Sequence, residues 1–170
     1  MANILPEDKE FFKRIAREHI QVDPLLWNII YQHIGDPVII INLTTRYYLD
    51  NGEPIPQNEA KKILISTKRM VEIIKKIRQP ESIAIDEKDP LFRMIKEKGL
   101  KLDAVTDELF TQYIRNDLNI ISLAMGMHID PLKEGQSVPV EDGRKILEHI
   151  RSIMSFLDRL RIATSKKEAY

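Results

Sequence analysis

Residues 58–79 read NEAKKILISTKRMVEIIKKIRQ, and residues 141–162 read EDGRKILEHIRSIMSFLDRLRI. A shift of 83 places Lys62-Ile63-Leu64 on Lys145-Ile146-Leu147. The same shift places Met70, Ile73, Ile74, Ile77 and Arg78 on Ile153, Phe156, Leu157, Leu160 and Arg161. In both stretches apolar side chains recur at alternating spacings of four and three: Ile63, Thr67, Met70, Ile74, Ile77, then Ile146, Ile150, Ile153, Leu157, Leu160. That spacing predicts a helix with a narrow apolar seam packed against other helices. It sets Lys61, Lys62, Lys68, Arg69, Lys75 and Lys76 on the opposite, solvated face. The chain reads as one supersecondary unit used twice.

Upstream of each stretch lies a second helical pattern. Asp23-Pro24 pairs a capping aspartate with a proline at the first helical position. A helix then follows from Leu25 to about Leu49, with Leu26, Ile30, Ile34, Val38 and Ile41 on one side. Pro37 removes a backbone donor and is expected to bend it. Its partner runs from Asp107 to about His128, with Phe110, Ile114, Leu118, Ile121 and Met125 inward. An offset of 84 aligns the two, meeting Leu26, Ile30, Ile34 and Ile41 with Phe110, Ile114, Leu118 and Met125. Turn chemistry closes each hairpin, at 50–54 and at 130–139, where Gly52 and Pro56 match Gly135 and Pro139 at offset 83. Residues 1–22 read as an extra helix entered at Pro6, with Glu7 and Asp8 in its first turn and Phe11, Phe12, Ile15 and His19 on its apolar side. The expected fold is all-α: a four-helix bundle of two antiparallel helical hairpins plus an N-terminal helix. The divisions are 1–24, 25–80, a connector over 81–106 with a short helix at Pro90–Lys98, 107–165, and a frayed polar tail from Thr164.

At 170 residues the chain is long enough for one domain with a real core. Charged residues are 31% and cancel to zero, so no global field draws it to nucleic acid or an acidic membrane. The absence of cysteine removes disulfide scaffolds, thiolate metal sites and a cysteine nucleophile. No apolar run reaches the roughly 20 residues that span a bilayer, and MANILPEDKE lacks the features of a signal peptide. The expectation is a soluble, cytoplasmic protein that does not engage membranes.

The segment Gln32–Leu49, QHIGDPVIIINLTTRYYL, followed by KRMVEIIKKIRQ, resembles the dimerisation and histidine-phosphotransfer domain of sensor histidine kinases. That family's first helix carries His, an acidic residue, an apolar residue, two often polar residues, then Pro. Asn116-Asp117-Leu118-Asn119 resembles the same motif in the second half. The resemblance implies partners, either a response-regulator receiver domain or a histidine kinase. It also places the phosphoacceptor positions at Gln32 and Asn116, where neither amide accepts a phosphoryl group. With no ATP-binding domain and no Gly-rich phosphate loop, what is implied is a degenerate phosphotransfer scaffold without enzymatic activity.

The binding candidates are therefore Gln32, His33, Asp36, Asn116, Asp117 and Asn119, together with Lys68, Arg69 and Lys75 of the basic strip. His33, one residue beyond the acceptor register, is the candidate relay if the chain is instead a phosphotransferase. His19, His128 and His149 are scattered. No histidine follows a glutamate by three residues, so no di-iron site, metal or cofactor is expected. The basic strip lacks interleaved aromatics, which disfavours nucleic acid. Trp27 and Tyr31, four apart, read as core packing, and Asn42 and Asn119 as amides that fix helix register. A third reading is a structural oligomerisation module. The bundle closes either as a monomer or as a homodimer.

Overall fold

The computed structural model describes residues 6–18, 21–127 and 135–165, and over these the chain is all-α. The helices are α1 (Pro6–Arg17), α2 (Pro24–Ile30), α3 (Asp36–Asp50), α4 (Gln57–Arg78), α5 (Pro90–Lys98), α6 (Ala104–Leu109), α7 (Asn116–Gly126) and α8 (Val140–Ser165). α2 runs into α3 through a wide π-helical segment, Tyr31–Gly35, and α6 runs into α7 through another, Phe110–Arg115. Each half is thus one long interrupted helix, a turn, and a second long helix.

The first helices repeat at offset 80, not 84. Asp23 accepts from Leu25 N at 2.8 Å and Asp103 accepts from Val105 N at 3.0 Å, so each half opens on the same aspartate cap. From these caps the buried sets coincide: Leu26, Ile29, Ile30, Ile34, Val38, Ile41 and Thr45 on Thr106, Leu109, Phe110, Ile114, Leu118, Ile121 and Met125. The first helix of the second half therefore starts at Ala104, ahead of the expected Asp107. The second helical stretch keeps offset 83, with Ala60, Ile63, Thr67, Met70, Ile73, Ile74 and Ile77 on Gly143, Ile146, Ile150, Ile153, Phe156, Leu157 and Leu160. The turn is accordingly three residues longer in the second half. Both turns carry a glycine at positive φ, Gly52 at 66° and Gly135 at 80°, where a side chain would be strained.

The halves face each other about a local two-fold. Ile55 and Val138, equivalent at offset 83, exchange backbone hydrogen bonds of 3.0 and 2.8 Å and are both fully buried. Around them α3 packs chiefly on α8 and α4 on α7, so each long helix leans on the opposite half. α7 also lies along α8, whereas α3 and α4 touch sparsely. α1 rests on α8 through Ile15 and the Phe12–Phe156 ring pair. A single buried core joins these elements, each fully buried Ile or Leu contributing roughly 1.5–3 kcal/mol.

Several expectations are corrected. α1 ends at Arg17, short of residue 22. Thr164 belongs to α8, donating to Leu160 O at 2.9 Å, rather than to a frayed tail. Asn119 is exposed and holds no register; Asn42 is buried. Pro37 follows a π-helical segment, yet the other half has one with Asp117 in place of the proline, so proline is not what creates it. The connector is tied down: Ile83, Phe92, Ile95, Leu100 and Leu102 are buried, and Leu102 N reaches Ile77 O at 3.2 Å. His19, His128 and residues 130–134 of the second turn lie outside the described residues.

Candidate functional site: a groove open in one half only

α3 and α4 diverge enough to leave a cavity of about 340 Å³ between them. From the first helix come Gln32, His33 and Pro37; from α4 come Lys62, Ile65, Ser66, Arg69 and Ile73. His33 is half-buried on its wall and Gln32 is exposed at its lip. Helical spacing continues the wall downward, because Ile40 lies one turn beyond Pro37 on the same side of α3. Ile40 is 63% exposed and Ile65, across the groove, is 69% exposed. Leu43 and Tyr47 extend this apolar face along α3, both exposed. A contiguous set of large apolar side chains left in solvent marks an interaction surface more often than chance exposure does.

The second half closes the same place. Under the offsets of 80 and 83, His33 and Ile73 correspond to Tyr113 and Phe156, whose rings stack at 5.2 Å. Pro37 and Ser66 correspond to Asp117 and His149, whose Oδ1 and Nδ1 are 2.9 Å apart. A stacked ring pair and a carboxylate–imidazole hydrogen bond thus clamp α7 to α8 where α3 and α4 stay apart. Ile65 becomes Glu148 there and Arg69 becomes Ser152, whereas Ile120, Leu123 and Met127 keep the exposed apolar face of Ile40, Leu43 and Tyr47, and Lys145 keeps the charge of Lys62.

The basic strip divides into separate environments. Lys62, near Glu59 at 3.5 Å, and Arg69 edge the groove. Arg69 Nη2 is also 2.7 Å from Asp89 Oδ2, and its guanidinium sits over Phe92 at 4.5 Å. Lys76 lies over the same ring at 5.5 Å, so these two cations fasten the connector to α4 rather than standing free. Asp89 caps α5 by accepting from Leu91 N at 2.9 Å. Burial raises its pKa, but the Arg69 hydrogen bond and charge and the backbone donors of Leu91 and Phe92 outweigh that, leaving it below the ordinary carboxylate value. Lys68 points to the outer face and Lys75 towards α7.

Of the sequence candidates, Gln32, His33 and Arg69 meet in the groove. Asp36 and Asn119 are exposed outside it, and Asn116 is exposed with its amide on Gln112 O at 3.2 Å. At offset 80 the counterpart of Gln32 is Gln112, an exposed glutamine, rather than Asn116. Asp117 belongs to the closed half, held by His149, one of the scattered histidines. The signal missed was positional: His149 is the offset-83 counterpart of Ser66. Trp27 and Tyr31 stack at 5.2 Å, and Trp27 packs against the core. Among the described residues no cluster of His, Asp or Glu could hold a metal ion, and no helix is long and apolar enough to cross a membrane. Comparison with family models, curated proteins and solved structures finds no match.

Proposed function

We propose that the protein is a non-catalytic signalling module, a four-helix bundle resembling a degenerate histidine-kinase phosphotransfer domain, that docks a protein partner in the groove between α3 and α4. The partner is a response-regulator receiver domain or a histidine kinase. The observation that carries this reading is the broken symmetry of the groove. Two equivalent sites arise from one repeated unit, and only the first is an open groove, walled by Ile65 and edged by Arg69, where the second is closed by ring stacking and a carboxylate–imidazole bond. Gln32 and Gln112 sit at equivalent positions, so neither half offers an imidazole in the resembled acceptor register.

A second reading is supported by His33. It lines the groove with Lys62, whose exposed ammonium would help neutralise an incoming phosphoryl group. In that reading an imidazole nitrogen of His33 attacks the phosphorus of an aspartyl phosphate, the P–O bond breaks and the carboxylate leaves. Incubation with phosphorylated receiver domains, and with kinases and ATP, separates the two. Binding without acid-labile label on the chain supports docking. Label that vanishes in His33→Ala establishes the relay. Neither binding nor label leaves a structural oligomerisation module.

A further inference from the structure

A second cleft, of about 430 Å³, opens on the α7 side of α4. Its floor is Val71 and Ile74; its walls are Lys75, Arg78, Gln79 and Arg115. Three cations therefore converge, and among the described residues the carboxylate that pairs with them is Asp107, which holds Arg78 through Nε. Lys75 and Arg78 lie in the last turn of α4, where the helix dipole favours positive charge. Arg115 owes nothing to that effect. It stands mid-way along the other half's first long helix, exposed, with no acid paired to it among the described residues.

The local two-fold supplies a control. The equivalents of Arg115, Arg78 and Lys75 are Gly35, Arg161 and Asp158. There Arg161 Nη2 is 2.8 Å from Asp158 Oδ1, so the one cation among the three equivalents is neutralised in place. Excess positive charge is thus a property of one of two equivalent places, and repeated helix architecture does not account for it.

We infer that this cleft binds a small phosphate ester of mononucleotide size. The three cations and Asp107 leave a net charge of plus two, which matches a phosphate dianion. Asp107 orients the Arg78 guanidinium, whose planar fork suits phosphate oxygens. Gln79 adds an amide donor, and Val71 and Ile74 offer an apolar floor to the organic body. The volume falls in the range of small-molecule sites. This inference does not rest on the docking proposal, since the cleft lies on another side of α4.

The test is calorimetric titration of the full chain at low salt with AMP, adenosine, inorganic phosphate and a phosphoserine peptide. AMP is expected to bind saturably at one site, with adenosine silent and inorganic phosphate weaker. Arg115→Gln and Lys75→Gln are each expected to weaken AMP by about tenfold, as for loss of one charge-assisted contact. Lys68→Gln, on the outer face, is expected to leave it unchanged. Both cleft residues are exposed, so thermal melts of the double variant should match wild type. Absence of saturable AMP binding, or equal affinity in the double variant, overturns the inference. A phosphoserine peptide that binds when AMP does not assigns the phosphate to a protein and overturns it as well.

Discussion

His149 Nδ1 lies 2.9 Å from Asp117 Oδ1, bridging α8 and α7 at the place where α4 and α3 present Ser66 and Pro37. Both members are partly shielded, with side-chain exposures of 28% and 15%. Removing either, as His149→Ala or Asp117→Ala, is expected to destabilise the fold by roughly 1 kcal/mol, the scale of one such hydrogen bond. The reciprocal change is more informative. Pro37→Asp with Ser66→His builds the same bridge in the first half, and partner binding in the groove is expected to fall while the thermal midpoint holds. Retained binding with the bridge formed would show that the partner sits elsewhere.

Asp89 links the connector to α4, capping α5 while meeting Arg69. Asp89→Ala is expected to cost about 1–2 kcal/mol by chemical denaturation, from loss of a helix cap and a charged hydrogen bond. The pH sign follows from the lowered pKa. The folded carboxyl holds its charge below its ordinary value of 3.8, so its contribution is complete above that value and is lost as pH falls through the folded pKa. The stability gap between wild type and Asp89→Asn should therefore be larger at pH 7 than at pH 3.

Thr45 is fully buried on α3, and its Oγ1 has no hydrogen-bond partner among the described residues. Its equivalent in the other half is Met125, a residue with no hydroxyl to satisfy. Thr45→Val keeps the shape and removes the unpaired group, and is expected to raise stability by about 1 kcal/mol. Denaturant melts decide it.

Gly143 and Ala60 are equivalent positions in the first turns of α8 and α4. A Cβ at Gly143 would stand 3.1 Å from Leu49 Cδ2, the far end of a half-buried, flexible side chain. Alanine is better than glycine in a helix by up to about 1 kcal/mol, and a small relaxation of Leu49 subtracts part of that. Gly143→Ala is expected to stabilise by about 0.5 kcal/mol, read from the thermal midpoint.

The repeat was legible because offset 83 aligns the apolar seams of the second helices position for position, along with several charges such as Lys62 on Lys145 and Arg78 on Arg161. The first helices misled by one helical turn. A slip of four residues rotates a helix face by only about 40°, so apolar positions still meet apolar positions at 84 as they do at 80. Asp23 and Asp103 carry the true register, because a cap has one place in a helix and an apolar seam has many. The all-α fold and the Pro90–Lys98 helix followed from local signals alone: a proline start, an aspartate cap and a glycine end. The groove did not. It depends on α3 and α4 lacking the clamps that the other half has, Tyr113 on Phe156 and Asp117 on His149, and such pairs join residues distant in sequence. Arg69 and Lys76 read as solvated cations because their partners, Asp89 and Phe92, lie in a connector whose path the periodicity does not encode.

The groove's role in docking is tested most directly by titrating purified receiver domains and kinase hairpins into the full chain, comparing wild type, Ile65→Asp and Leu123→Asp. Ile65 is 69% exposed in the open groove, and Leu123 is equally exposed on the closed half, so neither change should disturb the core. The expected result is a single binding site per chain, abolished by Ile65→Asp and untouched by Leu123→Asp. Two equivalent sites, or binding that survives Ile65→Asp and fails with Leu123→Asp, would contradict it.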